Sequence, residues 1–365
     1  MGADKISVKD TSRAPALEAD GLNKYRVDAT TAQAMKVAEG SPRRADSLPA
    51  NFAIDEGGSG KPLTPGDHHY TFSDQGKSRQ YEIHVPSDYD GSKPIPVMYM
   101  MPGVGGSIEQ MKGETGMNRV ADAKGFAVVY VEALPKNVPY TFGMASANSW
   151  NLDGGSLTDK VAGYDDRGYM NSVDRSVAEK LNVDKNAQYV VGFSEGGGAA
   201  QYIAVANPGR FAGVGSVHGT RLDGDQKPQN RDKTAFIAIH GDDEYMLPPD
   251  GGKGLMTILY DKVTGSKPLD QKKVWAEADS CAAPMSADSK ESKVTEYSCG
   301  SVNVKEIIRH GGQHAWDGLG QNGKGEHGWY IVGMPDKTKD TSSDVANFLL
   351  KYRKDDGSLD IKRNP

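Results

Sequence analysis

The stretch YVVGFSEGGGAA, residues 189–200, sets one serine between glycines, directly after strand-forming residues and directly before small helix-forming ones. Two readings compete. In one, this is a strand-to-helix turn in which glycines relieve crowding and Ser194 is incidental. In the other it is G-x-S-x-G (Gly192, Phe193, Ser194, Glu195, Gly196), a nucleophile elbow that exposes its serine on a strained turn at the top of an α/β sheet. What decides between them is whether an acid and a histidine follow in the right order and setting.

Working outward, short apolar runs alternate with helical stretches. IPVMYMM (95–101), FAVVYVE (126–132), YVVGF (189–193), VGSVH (214–218), AFIAIH (235–240) and VKEIIRH (304–310) read as strands buried on both faces. HHYTFSD and RQYEIHVP alternate around a DQGKS turn, as a β-hairpin does, and form the entry to the sheet. Ser107 followed by Gln110 predicts a capping box, and Val345, Phe348, Leu349 and Tyr352 space the apolar face of a last helix. The fold class is therefore α/β, with a mostly parallel central sheet covered by helices on both faces and ligands expected at the carboxyl ends of the strands.

At two such ends lie the missing partners. After AFIAIH comes GDDEYMLPP, with Asp242, Asp243 and Glu244 in the loop; after VKEIIRH comes GGQHAWDG, with His314. Serine, then acid, then histidine is the chain order of the α/β-hydrolase fold. A cluster of acids is usually a solvated loop and a lone histidine is usually packing, but three loops in this order, each ending its own strand, are hard to obtain by accident. The chemistry needs this set, because a serine hydroxyl is a poor nucleophile at neutral pH unless a base takes its proton. His314 is the candidate base; a carboxylate from the acid cluster would orient its ring. For the oxyanion, the elbow offers the N–H of Glu195 at a helix start, and the loop MPGVGGS offers that of Val104.

The totals bound the alternatives. The chain of 365 residues, 37% hydrophobic and 25% charged, can bury a substantial core. A net charge of -6 without a Lys/Arg block argues against nucleic acid or an anionic membrane as partner. No apolar run approaches the roughly 20 residues of a membrane span. The opening MGADKISVKD lacks the pattern of a signal peptide. Residues 1–66, rich in Gly, Pro, Ser and charge toward their end, read as a loosely packed leader or linker, 67–355 as the catalytic domain and 356–365 as a tail. GGSGKP lacks the earlier glycine and the following Ser/Thr of a phosphate loop. The two cysteines, Cys281 and Cys299, would stay unpaired in a cytosolic protein, whereas their near spacing suits a loop-closing disulfide in an exported one. A zinc site would need more ligands, and His310 and His314 straddle two glycines, so neither metal nor cofactor is expected.

Taken together, VVGFSEGGGAA, FIAIHGDDEYMLPPDGG, the DSC and YSC pair, and HGGQHAWDG resemble the secreted esterases grouped as polyhydroxybutyrate depolymerase-like and feruloyl esterase-like enzymes, over about residues 68–355. The resemblance implies an α/β-hydrolase fold and a serine carboxylic-ester hydrolase acting on feruloyl or acetyl esters of polysaccharide or on an aliphatic polyester, so the expected partner is an ester, small or polymeric. It brings Glu244 to the acid, with Asp243 and Asp242 as alternatives. It also pairs Cys281 with Cys299, makes His314 the base, puts NSWN (148–151) near the substrate, and implies a secreted or periplasmic protein. Pro102 stands where that family has the histidine of an H-G pair. Tyr140, Phe142, Trp150 and Trp316 are candidates for an aromatic-lined cleft. A serine peptidase of the same fold and a non-catalytic binding protein on this scaffold are the competing functions.

Overall fold

The computed structural model describes residues 63–136, 147–151, 164–222, 227–229, 233–250, 252, 254–255, 267–321, 333–355 and 358–360. Of the predicted leader only residues 63–66 are among them, and of the predicted tail only 358–360. The described residues belong to one compact unit, Ala45–Pro365. Among them runs a ten-stranded sheet. Its strands, in chain order, are β1 (Gly66–Asp74), β2 (Lys77–Val85), β3 (Ile95–Met101), β4 (Ala127–Val131), β5 (Val183–Phe193), β6 (Gly213–Val217), β7 (Ala235–Gly241), β8 (Met285–Asp288), β9 (Ser292–Ser298) and β10 (Asn303–Arg309). Their spatial order is β1-β2-β4-β3-β5-β6-β7-β10-β9-β8. From β4 to β10 every pairing is parallel, while β1 and β2 at one edge and β9 and β8 at the other pair antiparallel. This is the α/β-hydrolase fold.

Local chemistry accounts for the elements. The β1–β2 hairpin turns on Gln75 and Gly76, both at positive φ (51° and 73°), the geometry whose twist matches that of the flanking strands. The central strands read as continuous apolar runs because both faces are covered: all five residues of β4 and of β6 are buried, as are all seven of β7. The connecting helices are α1 (Ile108–Thr115), α2 (Met117–Lys124), α3 (Asp166–Lys180), α4 (Glu195–Ala206), α5 (Gln271–Ala278) and α6 (Thr341–Leu349). Three of them start on an aspartate cap, Asp165, Asp270 and Asp340.

Two expectations need correction, and one pair of strands was not foreseen. Ser107 does cap α1 by accepting the Gln110 N–H at 3.2 Å, but the box is not reciprocal, because the Gln110 amide turns along the helix to Glu114 Oε1 at 2.9 Å. The strand ending in the elbow begins at Val183, six residues earlier than YVVGF, since the polar VDKNAQ segment hides its pairing with β3. The polar stretch around the cysteines also forms β8 and β9, whose largely solvated residues carry no buried-strand pattern. Cys281, past the end of α5, and Cys299, just after β9, are joined by a disulfide. It anchors the hairpin that pairs with β10. Among the described residues no helix is long and apolar enough to cross a membrane.

Candidate active site

Ser194 sits between β5 and α4 with φ 55° and ψ -123°, a strained positive-φ conformation that L-residues avoid unless their surroundings impose it. The flanking glycines explain themselves here. A Cβ on Gly192 would strike the carbonyl oxygen of Gly196, and one on Gly196 would strike that of Met101. The turn is therefore too tight for a side chain at either flanking glycine. Ser194 N–H donates to Val217 O at 2.9 Å, which ties the elbow to the end of β6.

The loops after β7 and β10 are stitched to each other. Asp242 N–H donates to Arg309 O at 3.0 Å and Asp243 N–H to Gly312 O at 3.1 Å. This stitching brings Glu244 beside His314, and the His314 Nδ1–H donates to Glu244 Oε2 at 2.7 Å. A carboxylate accepts only, so the neutral ring keeps its lone pair on Nε2, and Nε2 lies 2.9 Å from Ser194 Oγ. Met246 and Leu247 N–H donate to the other carboxylate oxygen, Oε1, at 2.7 and 3.1 Å. Burial on its own would raise the Glu244 carboxyl, but His314 and His218 outweigh it and hold that carboxyl well below the usual range. The alternatives point elsewhere: Asp242 accepts from His310 Nδ1 (2.7 Å) and Gly311 N–H (2.7 Å), and Asp243 from the Gln313 amide (3.3 Å).

Opposite the elbow, the loop after β3 is closed by two backbone bonds, Gly106 N–H to Gly103 O (3.0 Å) and Gly105 N–H to Asn148 O (2.7 Å). Val104 N–H, between them in chain order, is in neither bond. Segment 148–151 frames this loop. The Asn148 amide donates to Gly106 O at 3.0 Å and to Glu132 Oε1 at 3.2 Å, and Trp150 Nε1–H donates to Pro102 O at 2.8 Å. The segment is fastened in turn to α4, since Ser149 Oγ–H and Trp150 N–H donate to the Glu195 carboxylate at 2.6 and 3.3 Å. Burial pushes the Glu195 carboxyl up to about 7, against the pull of these donors.

Trp150 and Trp316 are both buried, and Trp316 Nε1–H donates to Ser342 Oγ at 2.9 Å. Their ring nitrogens are committed inside the fold, so they brace loops rather than line an open cleft; the reason is that each found an internal acceptor. Tyr140 and Phe142 lie outside the described residues. Sequence reasoning missed His218, whose Nδ1–H also donates to Glu244 Oε2, at 2.6 Å. The signal was a histidine at the carboxyl end of the strand between the serine-bearing and acid-bearing ones. His218, Glu244 and His314 offer donor atoms within 4.8 Å of one another, close enough to hold a metal ion. Both Nδ1 atoms are already engaged with the carboxylate.

A family model described as "Putative esterase" matches residues 73–301, well over half of the chain. The chain belongs to that family. This esterase is 26% identical over 299 residues to "Putative esterase NocK" of Nocardia uniformis subsp. tsuyamanensis, covering 75% of the chain and 80% of that relative. It is 26% identical over 196 residues to "Feruloyl esterase C" of Emericella nidulans, covering 53% of the chain and 64% of that enzyme, just under two thirds of its length. Among solved structures, "Acetyl xylan esterase from Aspergillus awamori" aligns with a TM-score of 0.47 at 14% identity, covering 68% of this chain and 94% of that one. The esterase described here is a carboxylic-ester hydrolase. The family match contains Ser194 and Glu244 and ends before His314.

Proposed function

We propose that this chain hydrolyses esters through an acyl-enzyme on Ser194, with His314 as general base and then general acid, and Glu244 as the carboxylate that orients it. One observation carries the reading: a continuous hydrogen-bonded line from Ser194 Oγ to His314 Nε2 (2.9 Å) and from His314 Nδ1 to Glu244 Oε2 (2.7 Å), ending in a serine on a strained positive-φ turn. As Oγ attacks the ester carbonyl, its proton passes to Nε2. The imidazolium that forms is stabilised by a carboxylate held ionised. The carbonyl oxygen, now an anion, is met by the N–H groups of Val104 and Glu195, the latter at the start of α4, where the helix dipole favours negative charge. The same proton then leaves with the alcohol. Water repeats the sequence on the acyl-enzyme and frees the acid.

For the substrate we propose an aromatic acyl ester of the feruloyl class, with acetylated polysaccharide and aliphatic polyester as the competing ester classes; the name of the Emericella nidulans relative supports this order. The disulfide supports action outside the reducing cytosol. The test compares turnover of methyl ferulate, acetylated xylan, a polyhydroxybutyrate film and a peptide anilide. Methyl ferulate is expected to be cleaved with the highest kcat/KM and the anilide not measurably. Cleavage of the anilide at a rate near that of its ester counterpart would replace the esterase mechanism with a peptidase one, and preference for the film would replace the substrate class.

A further inference from the structure

We infer that His218 is a positioning residue of this same site: its Nδ1–H, bonded to Glu244 Oε2 at 2.6 Å beside that of His314 at 2.7 Å, fixes the plane of the carboxylate that orients the base. The inference rests on the proposed roles of Ser194, His314 and Glu244. A carboxylate has about four acceptor sites. Glu244 fills them with four donors, the N–H groups of Met246 and Leu247 on Oε1 and the two imidazoles on Oε2.

The need for the fourth donor follows from the side chain. Glutamate carries one more rotatable bond than aspartate, so its carboxylate has an additional way to turn away from the base. Backbone donors hold Oε1, but concerted rotation about the side-chain bonds can still pivot the carboxylate on that anchor and move Oε2. A second donor on Oε2, from a residue that does not itself take part in proton transfer, removes that freedom. His218 is built for the task. It is buried, with φ 50°, a left-handed conformation, and its N–H donates to Ile239 O at 2.8 Å, so the backbone aims the ring across the strand ends of β6 and β7. Its ring also packs edge-on against those of His314 and Phe193, at 5.2 and 6.0 Å between centroids.

The histidine beneath it adds no charge. The His240 ring lies 5.5 Å from that of His218 and accepts an N–H from the Gln271 amide on Nε2 at 2.7 Å; burial drives it down to about 3, so it stays neutral. Gln271 is held in place by Gln201 (2.7 Å) and itself donates to Gly219 O (3.0 Å), next in the chain after His218. A buried, uncharged polar layer thus supports His218 from below, while its Nδ1 faces the site.

The experiment is a double-mutant cycle on the full chain, with a soluble ester at saturating and subsaturating concentrations. His218→Ala is expected to lower kcat about 10- to 100-fold, the size of effect seen when a group that orients a metal ligand is removed, with KM within about twofold. His218→Asn, whose amide nitrogen occupies the Nδ1 position and whose type tolerates a left-handed backbone, is expected to restore kcat to within about threefold of the parent. In the Glu244→Gln background, His218→Ala is expected to cost no more than about threefold further, because the group it acts through is already altered. If His218→Ala does not fold, His218→Gln replaces it, since its longer amide misses the Nδ1 position and is expected to lose activity in the same way. A His218→Ala enzyme within about threefold of the parent overturns the inference, as do losses that multiply in the double variant. Ser194→Ala and Glu244→Gln run alongside: if they are inactive and His218→Ala is not, this inference alone falls, and if both stay active, the proposed mechanism falls with it.

Discussion

Glu244→Gln is the substitution whose outcome the structure determines most sharply, because every atom facing the carboxylate is a donor. Two backbone N–H groups meet Oε1 and two imidazole N–H groups meet Oε2. A glutamine has one acceptor oxygen, so its amide must face one of these pairs with N–H groups of its own. Turned toward Met246 and Leu247, it strands two buried amide donors at about 1–3 kcal/mol each, or about 2–6 kcal/mol of stability. Turned toward the histidines, it keeps those bonds but forces His314 into the tautomer with a proton on Nε2, which cannot accept from Ser194. A wrong tautomer of this kind costs about 10⁴ in turnover in serine triads. The expected result is therefore a fall in kcat of about 10³–10⁴, or a fall in unfolding free energy of about 2 kcal/mol or more together with reduced turnover. Steady-state kinetics on a soluble ester at pH 7 and urea unfolding measure the two. Asp242→Asn and Asp243→Asn serve as controls and should stay within about threefold, since both acids bond outside the triad. A Glu244→Gln enzyme with parental stability and kcat within tenfold would refute the reasoning, and collapse of Asp243→Asn instead would move the acid by one residue.

Trp150→Phe removes the donor to Pro102 O while keeping most of the ring, and one such bond is worth about 1 kcal/mol net, so kcat should fall about fivefold with KM unchanged; a change confined to KM would mean that Trp150 touches substrate instead. Reducing the Cys281–Cys299 bond should destabilise the fold by about 3 kcal/mol in the chain-entropy account, read as a lower melting temperature under reductant; two reactive thiols in the native, air-exposed protein would contradict the bond. Glu195 titrates near 7 when folded and near 4.5 when unfolded, so its favourable contribution is fully present below about 4.5 and is lost as pH rises through 7. The stability of Glu195→Gln relative to the parent should therefore rise between pH 5 and 8, by at most about 3 kcal/mol and by less where solvent screens this half-buried residue. A difference that stays flat over that range would show that the carboxyl is not raised.

The legible part of the molecule was the part governed by short-range rules. Glycines at Gly192 and Gly196 announce a turn that admits no Cβ at either of those positions, and apolar runs such as IPVMYMM and AFIAIH announce strands covered on both faces. The loops carrying Glu244 and His314 were readable because each directly follows such a run. The β8–β9 extension was not, since an exposed antiparallel hairpin needs no apolar pattern to pair. His218 was hidden for a different reason: its importance depends on β6 lying beside β7, a sheet neighbour relation that no local pattern encodes. The tryptophans misled because an aromatic residue in a loop reads the same whether its ring nitrogen finds solvent, substrate or, as with Trp150, a buried carbonyl.

The central claim is that Ser194 forms the acyl-enzyme, and covalent labelling tests it most directly. The protein is treated with a fluorophosphonate, digested, and the modified peptide sequenced by mass spectrometry, with residual ester hydrolysis followed in parallel. The account predicts a single stoichiometric adduct on Ser194, loss of hydrolysis in step with labelling, and neither labelling nor more than about one part in 10⁵ of parental turnover in Ser194→Ala. An adduct on another residue, or a Ser194→Ala protein that keeps a tenth of the parental activity, would contradict it.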